Sequence, residues 1–241
     1  SILEAYIPYA KESLDFYLMK KPESYCSLDT TTRMAARAYS AAKKIDQKTN
    51  IEQLFGVAIS ATLSTNYKKK GSHRFHIAVQ TRDFSQSISC ILNKGQRTRE
   101  EEEELVTEFV IALISDCCGL EFKYPEIKED VEHIQIAAQE SWADLMSEKI
   151  KFVTSCNQQP KLIFPGAFNP MHDGHIAMSE LAHKELNEEV FFEICIQNVD
   201  KPPLSYHQIK KTIDQFTDTK NWVLTKAGKF SDKAKLFPNS T

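Results

Sequence analysis

Two histidines close to a Pro-Gly turn are the residues of this chain best suited to chemistry. They lie in residues 161–175, which read KLIFPGAFNPMHDGH. The apolar run LIF predicts a strand, Pro-Gly predicts a turn, and His172 and His175 open a helical pattern. A helix start presents unpaired backbone N–H groups and the positive end of the helix dipole. The segment therefore predicts an anion site, with phosphate as the leading candidate.

The residues around this turn suit a phosphate as well. Gly166 allows the backbone to approach a ligand because it has no side chain, and histidines three residues apart share one helix face. Two interpretations compete with this one. The histidines could simply occupy a helix face that Pro170 begins, or they could chelate a metal ion. No metal site is predicted, because no cysteine or carboxylate in the loop completes a coordination set.

Residues 166–175, GAFNPMHDGH, resemble the GxFxPxHxGH signature of the nucleotidylyltransferase superfamily. The variant is similar to that of the nicotinamide and nicotinate mononucleotide adenylyltransferases. The resemblance implies that the phosphate of a mononucleotide attacks the α-phosphorus of ATP and that pyrophosphate leaves. Catalysis would then depend on positioning and charge stabilisation, without a covalent enzyme intermediate. ATP is the implied substrate, and Mg²⁺ would be held mainly by its phosphates.

The resemblance also implies roles for individual residues. His172 would hold the phosphates of ATP, and His175 would stabilise the charge that develops at the α-phosphate. Gly174 would permit close packing of the helix. Asn169 and Pro170 favour mononucleotide adenylylation over the related cytidylyltransferases, which share the two histidines. The backbone from Gly166 to Phe168 would line the mononucleotide side. The residues implied to bind the nucleotide in this loop are Gly166, Ala167, Phe168, Asn169 and Gly174.

A strand-helix-strand unit positions this loop. The helix is predicted to run from the second histidine to Leu186, and the apolar stretch VFFEICIQNV (190–199) predicts a second buried strand. The alternation predicts a parallel sheet with a right-handed crossover, in which ligands bind beyond the carboxyl ends of the strands. Lys201 follows the second strand at that edge, where it could reach a phosphate. Alternatively, Asp200 and Lys201 form a solvated loop pair.

The residues that follow continue the pattern with a helix (205–216), a strand (222–225) and a short helix (231–236). The superfamily fold has a second half, which includes a Ser/Thr-rich helix start similar to ISSTxxR. No such start occurs among residues 176–241. We therefore expect these residues to hold only the first half of the domain, and a working enzyme to need more chain.

The first 120 residues predict a separate set of elements. An alanine-rich helix face within 27–45 suits close packing on a sheet, and the uncharged run QLFGVAISATLS (53–64) suits a buried strand. A second strand at 74–81 would pair with it as a hairpin. The other predicted elements are a strand at 2–9, a helix at 11–19 and an amphipathic helix at 97–119.

Four segments of this front part resemble the C-terminal domain of the competence-damage-inducible CinA family. They are TRMA (32–35), GVAISATL (56–63), KKGSHRFHIAV (69–79) and RTREEEEELV (97–106). Some members of that family hydrolyse the amide of nicotinamide mononucleotide. The resemblance also implies a homo-oligomer formed through this domain.

The residues on which the CinA amidase depends are missing. No SCTGG-like turn with a nucleophilic serine occurs in residues 1–28, and Leu14 stands where the family has its functional lysine. The glycine-rich SGxxGP turn of the family is replaced by SATLSTN. These departures predict a CinA-like scaffold that lacks its first strand and turn and has lost the amidase chemistry.

Residues 121–159 are predicted to be a helical connector, with a long helix at 129–151 that ends before the break NQQP. The predicted organisation is a CinA-like domain at 1–120, this connector, and an incomplete nucleotidylyltransferase-like domain at 160–241. The fold class is α/β: a CinA-like α/β domain followed by the first half of a Rossmann-like parallel βαβ domain.

The composition narrows the classes of partner. A formal net charge of −3 over 241 residues provides no basic footprint for nucleic acid. No apolar run reaches the length of a membrane span, and the first residues lack the layout of a signal peptide. We therefore expect a cytoplasmic location, no membrane partner, and small-molecule nucleotides as ligands. The six cysteines are scattered along the chain, which favours reduced thiols.

The predicted function is the transfer of adenylate from ATP to nicotinamide or nicotinate mononucleotide, with release of pyrophosphate. Two alternatives stay open. The missing amidase residues and the missing second half are compatible with a non-catalytic nucleotide-binding sensor or scaffold. The other alternative, a nicotinamide mononucleotide amidohydrolase of the CinA type, is opposed by Leu14.

Overall fold

The computed structural model describes residues 1–67, 70–197, 202–216 and 220–240. The chain divides into two units, Ser1–Ala137 and Ala138–Thr241, called unit 1 and unit 2 below. Each contains helices and one sheet, which confirms the predicted α/β class. No helix within the described ranges is long and apolar enough to cross a membrane.

Unit 1 is built on a four-stranded antiparallel sheet. Its elements in chain order are α1 (Lys11–Leu18), α2 (Leu28–Ile45), a 3₁₀ turn (Ile51–Gln53), β1 (Gly56–Thr62), β2 (His73–Gln80), β3 (Phe84–Leu92), α3 (Arg99–Cys117) and β4 (Val131–Ala137). The strand order is β1-β2-β3-β4, so the predicted hairpin of the first two strands is confirmed.

Side chains alternate across this sheet and bury both of its faces. On one face, Phe75 of β2 packs against Phe109 of α3, with ring centroids 5.2 Å apart. On the other face, Ala78 packs with α2. A Cβ atom on Gly56 would lie 2.2 Å from the backbone nitrogen of Tyr39, so α2 rests directly on β1. This confirms that the predicted alanine-rich helix packs closely on a sheet.

The predicted strand at 2–9 is wrong, because this segment has no regular structure. A strand forms where a neighbouring strand supplies hydrogen bonds, and no described strand pairs with these residues. Ile7 and Tyr9 are 86% and 98% exposed. The segment is held instead by Tyr6, whose ring stacks on that of Tyr17 with a centroid distance of 4.5 Å.

The predicted long helix at 129–151 is also wrong. Its first part is β4, which pairs antiparallel with β3, and only α4 (Glu140–Met146) is helical in this range. The β-branched residues Val131, Ile134 and Ile136 suit a strand, and β3 supplies the backbone hydrogen bonds that make one. The sequence analysis assigned no element to β3, although its serines alternate with other residues in the manner of a strand.

Unit 1 contains an ion pair whose carboxylate is buried. The Arg97 guanidinium donates to both oxygens of Glu129, at 2.5 and 3.0 Å, and the backbone N–H of Asn93 donates to the same carboxylate at 3.1 Å. The Glu129 side chain is 2% exposed. The hydrogen bonds from Arg97 lower the pKa of Glu129 to about 2 against the opposing effect of burial. Glu129 is therefore ionised, and Arg97 stabilises its buried negative charge.

Arg97→Met is expected to destabilise unit 1 by about 2 kcal/mol, because it leaves a buried carboxylate without its counter-charge. Chemical denaturation followed by circular dichroism measures this. The matched control is Arg99→Met, since Arg99 bonds to Glu103 at 2.7 Å in a pair that is about half exposed. Such a pair contributes about 0.5 kcal/mol or less. Equal losses in the two variants would contradict the prediction.

Unit 2 carries the segment with the two histidines. Its sheet has the order β5-β8-β7-β6. The elements in chain order are α4 (Glu140–Met146), β5 (Phe152–Thr154), β6 (Leu162–Pro165), α5 (Asp173–Leu186), β7 (Val190–Cys195), α6 (Tyr206–Ile213), β8 (Asn221–Thr225) and α7 (Phe230–Leu236). β6, β7 and β8 are parallel and β5 is antiparallel. The predicted parallel βαβ unit, β6-α5-β7, is confirmed.

Candidate functional site

The histidine loop, residues 166–172, begins where β6 ends and is tied to the neighbouring strand. The backbone N–H of Gly166 donates to the carbonyl oxygen of Glu193 in β7 at 3.0 Å. The Glu193 side chain is buried, accepts a hydrogen bond from the Thr225 hydroxyl, and lies 2.9 Å from Lys233 Nζ. The loop therefore starts at the carboxyl edge of the parallel strands, where ligands bind in sheets of this kind.

Phe168 anchors the middle of the loop. Its side chain is 1% exposed and packs edge-on against the rings of Phe164, Phe192 and Phe216, with centroids 5.2–5.9 Å away. Its φ of +44° lies in the left-handed region, which a bulky residue seldom adopts. The sequence resemblance gave Phe168 only a backbone role, whereas the structure uses its ring to hold the loop on the sheet.

Gly166 makes room for that ring. A Cβ atom at this position would lie 2.4 Å from Cζ of the Phe168 ring, which is too short for a contact between non-bonded carbon atoms. The missing side chain is therefore required by the protein itself, and not only by a ligand that approaches the backbone.

The two histidines lie against each other at the start of α5. His172 precedes the helix and His175 is in its first turn; their rings stack with centroids 3.7 Å apart and planes at 23°. The backbone N–H of His172 donates to Nδ1 of His175 at 3.3 Å. Because Nδ1 accepts this bond, the proton of the neutral His175 ring is on Nε2, which is left as a donor for a ligand.

Gly174 leaves room for the ring of His172. A Cβ atom there would lie 3.2 Å from the ring atoms Cε1 and Nδ1 of His172, so a side chain would push against the imidazole. Among the described residues, this ring is the nearest group that such a Cβ would meet, and the close helix packing implied by the resemblance stays a prediction. The glycine lets His172 stack on His175.

The surroundings of His175 disfavour its charged form. Burial lowers its pKa from the ordinary value of 6.5, and the charge of His172 lowers it further. The rings of Phe168 and Phe164 stand edge-on to the imidazole, with centroids 5.2 and 6.1 Å away. At neutral pH the residue is therefore an uncharged hydrogen-bond donor.

The remaining predicted site residues are Ala167, Asn169 and Lys201. Ala167 and Asn169 are exposed on the loop, and the peptide bond between Asn169 and Pro170 is cis. Lys201 lies outside the described residues. Gly166, Phe168 and Asn169 thus lie in the histidine loop, and His172, Gly174 and His175 lie around the start of α5.

A glutamine that the sequence analysis missed holds this loop from the side. Nε2 of Gln215 donates to the carbonyl oxygen of Phe168 at 2.8 Å, and its Oε1 accepts from the backbone N–H of Met171 at 2.8 Å. Gln215 follows α6 in the chain and is far from the loop in sequence. Its only sequence signal was its place near the end of the predicted helix at 205–216.

The described residues were also searched for a metal-binding set. Among them, no three His, Cys, Asp or Glu side chains are grouped so that they could hold a metal ion. The protein groups at the histidine loop are imidazoles and helix N–H groups, which suit phosphate oxygens.

In unit 1, Leu14 belongs to the core. Leu14 is 6% exposed and packs with Leu18 and Met34. A charged side chain at this position would be buried among apolar groups, so the structure keeps no room for a base here.

Residues 163–231 match the cytidylyltransferase-like family. The matched stretch runs from β6 into α7 and contains the whole histidine loop. No curated protein and no solved structure matches the chain. The family match is consistent with a nucleotidyltransferase domain in unit 2 and with a Rossmann-like fold for its parallel strands.

Proposed function

We propose that, in the full-length protein, unit 2 supplies the histidine loop of an enzyme that transfers the adenylyl group of ATP to the phosphate of nicotinamide or nicotinate mononucleotide. The observation that carries the proposal is the stacked pair of His172 and His175 at the carboxyl edge of the parallel strands, inside the family match. The resemblance of GAFNPMHDGH to the mononucleotide adenylyltransferases supports ATP as the donor. Asn169 and Pro170 support adenylate over cytidylate.

The reaction needs no covalent step on the protein. A phosphate oxygen of the mononucleotide forms a bond to the α-phosphorus of ATP, and the bond from that phosphorus to the oxygen bridging to the β-phosphate breaks. Pyrophosphate leaves with the electron pair. His172 contacts the phosphates in the bound state, and Nε2 of His175 donates to the α-phosphate oxygen as negative charge builds there. Mg²⁺ enters with ATP as part of the substrate.

Product analysis tests this proposal. The full-length protein is incubated with Mg·ATP and either mononucleotide, and pyrophosphate and the dinucleotide are measured. CTP in place of ATP is run in parallel. We expect the dinucleotide with ATP. Tight binding of ATP in calorimetry with no product from any acceptor would favour the sensor alternative instead. Neither binding nor product would contradict a nucleotide site at this loop.

The titration of His175 gives a prediction that needs no substrate. Nuclear magnetic resonance should find its pKa below the ordinary 6.5, and His172→Ala should raise that pKa, because a neighbouring positive charge is removed. The folded form binds fewer protons than the unfolded form when the folded pKa is the lower one. The free energy of unfolding therefore falls as the pH drops below about 6.5, and falls less in the variant. An unchanged His175 pKa would contradict the stacking.

For unit 1 we propose a CinA-like scaffold without amidase chemistry, which forms homo-oligomers in the cytoplasm. The proposal is supported by the four matching sequence segments and by the burial of Leu14 in the core. Ammonia release from nicotinamide mononucleotide would contradict the loss of the amidase. A monomer at micromolar concentration in analytical ultracentrifugation would contradict the oligomer.

A further inference from the structure

The amide of Gln215 is matched to two opposite backbone groups of the histidine loop. Its Nε2 donates to the carbonyl of Phe168, and its Oε1 accepts from the N–H of Met171. Nε2 also donates to the Thr212 carbonyl at 3.3 Å, which orients the amide. Only an amide side chain offers a donor and an acceptor side by side, so this arrangement cannot be reproduced by a carboxylate or an apolar group.

The side chain starts from a fixed point. The backbone N–H of Gln215 donates to Thr212 and that of Phe216 to Ile213, at 3.3 and 2.9 Å, which closes the end of α6. The Phe216 ring packs against Phe168 and also against Phe192, with centroids 5.9 and 5.2 Å apart. The end of α6 and the loop are therefore joined by aromatic packing as well as by the amide.

The contact with Met171 is one peptide away from the histidine pair. The next backbone N–H, that of His172, donates to Nδ1 of His175. The N–H groups of Met171 and His172, which follow one another in the chain, thus donate to Gln215 and to the His175 ring. If the first bond is lost, the Pro170–Met171 peptide can turn. The next peptide, which carries the His172 N–H, is then held less firmly, and the bond that sets the His175 ring is weakened as well.

We infer that Gln215 is a positioning residue for nucleotide binding: by bridging Phe168 and Met171 it holds His172 and His175 in their stacked arrangement. The inference rests on the proposed function in that the histidines are taken to contact phosphate. Gln215 itself acts on the backbone of the loop and not on the nucleotide.

Gln215→Met tests the inference, because it keeps the length of the side chain and removes its hydrogen bonds. The matched control is Gln208→Met, in the helix α6 that precedes Gln215. Gln208 accepts hydrogen bonds from the backbone and hydroxyl of Ser205, at 2.9 and 3.0 Å, at the opposite end of α6. We expect calorimetry to find ATP binding about tenfold weaker in Gln215→Met, from the loss of hydrogen bonds that each contribute modestly, and within about twofold of the parent in Gln208→Met.

A second measurement tests, in the absence of a nucleotide, whether Gln215 positions the two histidines. The pKa of His175, followed by nuclear magnetic resonance, should rise toward its ordinary value in Gln215→Met and stay unchanged in Gln208→Met. An unchanged titration in Gln215→Met overturns the inference. If the parent protein binds no ATP, the proposed function fails, and the titration still decides the role of Gln215. If the parent binds ATP and both variants bind it equally, the inference is wrong.

Gln215→Glu covers the case in which Gln215→Met does not fold. A carboxylate keeps the acceptor for the Met171 N–H and loses the donor to the Phe168 carbonyl. The second carboxylate oxygen would face that carbonyl and repel it, so we expect ATP binding about tenfold weaker than in the parent, with the fold confirmed by circular dichroism. Binding equal to that of the parent would overturn the inference.

Discussion

His175→Ala is expected to lower kcat for adenylyl transfer about a hundredfold while the Kd for ATP stays close to that of the parent. Nε2 of His175 is the donor left over after Nδ1 accepts from His172, and it meets charge that develops only in the transition state. Removal of one such preorganised donor costs about 3 kcal/mol in the barrier. Steady-state kinetics gives kcat and KM, and calorimetry gives the Kd.

Two further histidine variants make this result specific. His172→Ala should raise KM as well as lower kcat, because a residue that holds phosphates in the bound state contributes to binding. His183→Ala is the matched control in the same helix: its Nδ1 lies 2.9 Å from the Glu188 carbonyl oxygen, and its side chain is about half exposed. It should leave both constants unchanged. Near-normal turnover in His175→Ala would mean that this histidine only occupies a helix face.

The parts of unit 2 that could be predicted are those whose signals are local. A short apolar run followed by Pro165 and Gly166 ends a strand, and two histidines three apart mark a helix start. The second apolar stretch could only be another buried strand. Since a strand-helix-strand pattern has few topologies, these segments together predict the parallel pair β6 and β7 and the edge at which the loop lies.

The failures in and after unit 1 have a common physical cause. Whether residues 2–9 or 131–137 form a strand depends on whether another strand lies beside them, and that partner is remote in sequence. β4 finds β3, although a helical pattern can be drawn through the same residues. Residues 2–9 alternate in the manner of a strand but find no described partner. Judged by local pattern alone, residues 2–9 resemble a strand more than residues 131–137 do, but only residues 131–137 form one.

The proximity of the two histidines was predictable, but the contacts that support the loop were not. The spacing of His172 and His175 predicts that they lie close together, and their rings are stacked. The close approach of Gly166 to the Phe168 ring and the bonds from Gln215 are tertiary contacts. No periodicity encodes them, so a glycine that the sequence assigns to a ligand is used to make room for a neighbouring side chain.

Phe168→Ala is expected to destabilise unit 2 by about 4 kcal/mol. The ring is 1% exposed and touches three other phenylalanine rings, so its removal loses the burial of a large apolar side chain and leaves a cavity. Alanine also keeps the unfavourable positive φ without the packing that offsets it. Because Trp142 and Trp222 both lie in unit 2, urea unfolding followed by tryptophan fluorescence reports this unit alone.

The control for this variant is Phe230→Ala, since Phe230 is 78% exposed and its removal should change the unfolding midpoint of unit 2 little. A midpoint for Phe168→Ala equal to that of the control would mean that the loop does not depend on the ring. The variant should also lose ATP binding at temperatures where unit 2 is still folded. The reason is that the ring lies between the sheet and His175, 5.2 Å from the imidazole centroid, so the loop that orders the histidines loosens before the unit unfolds.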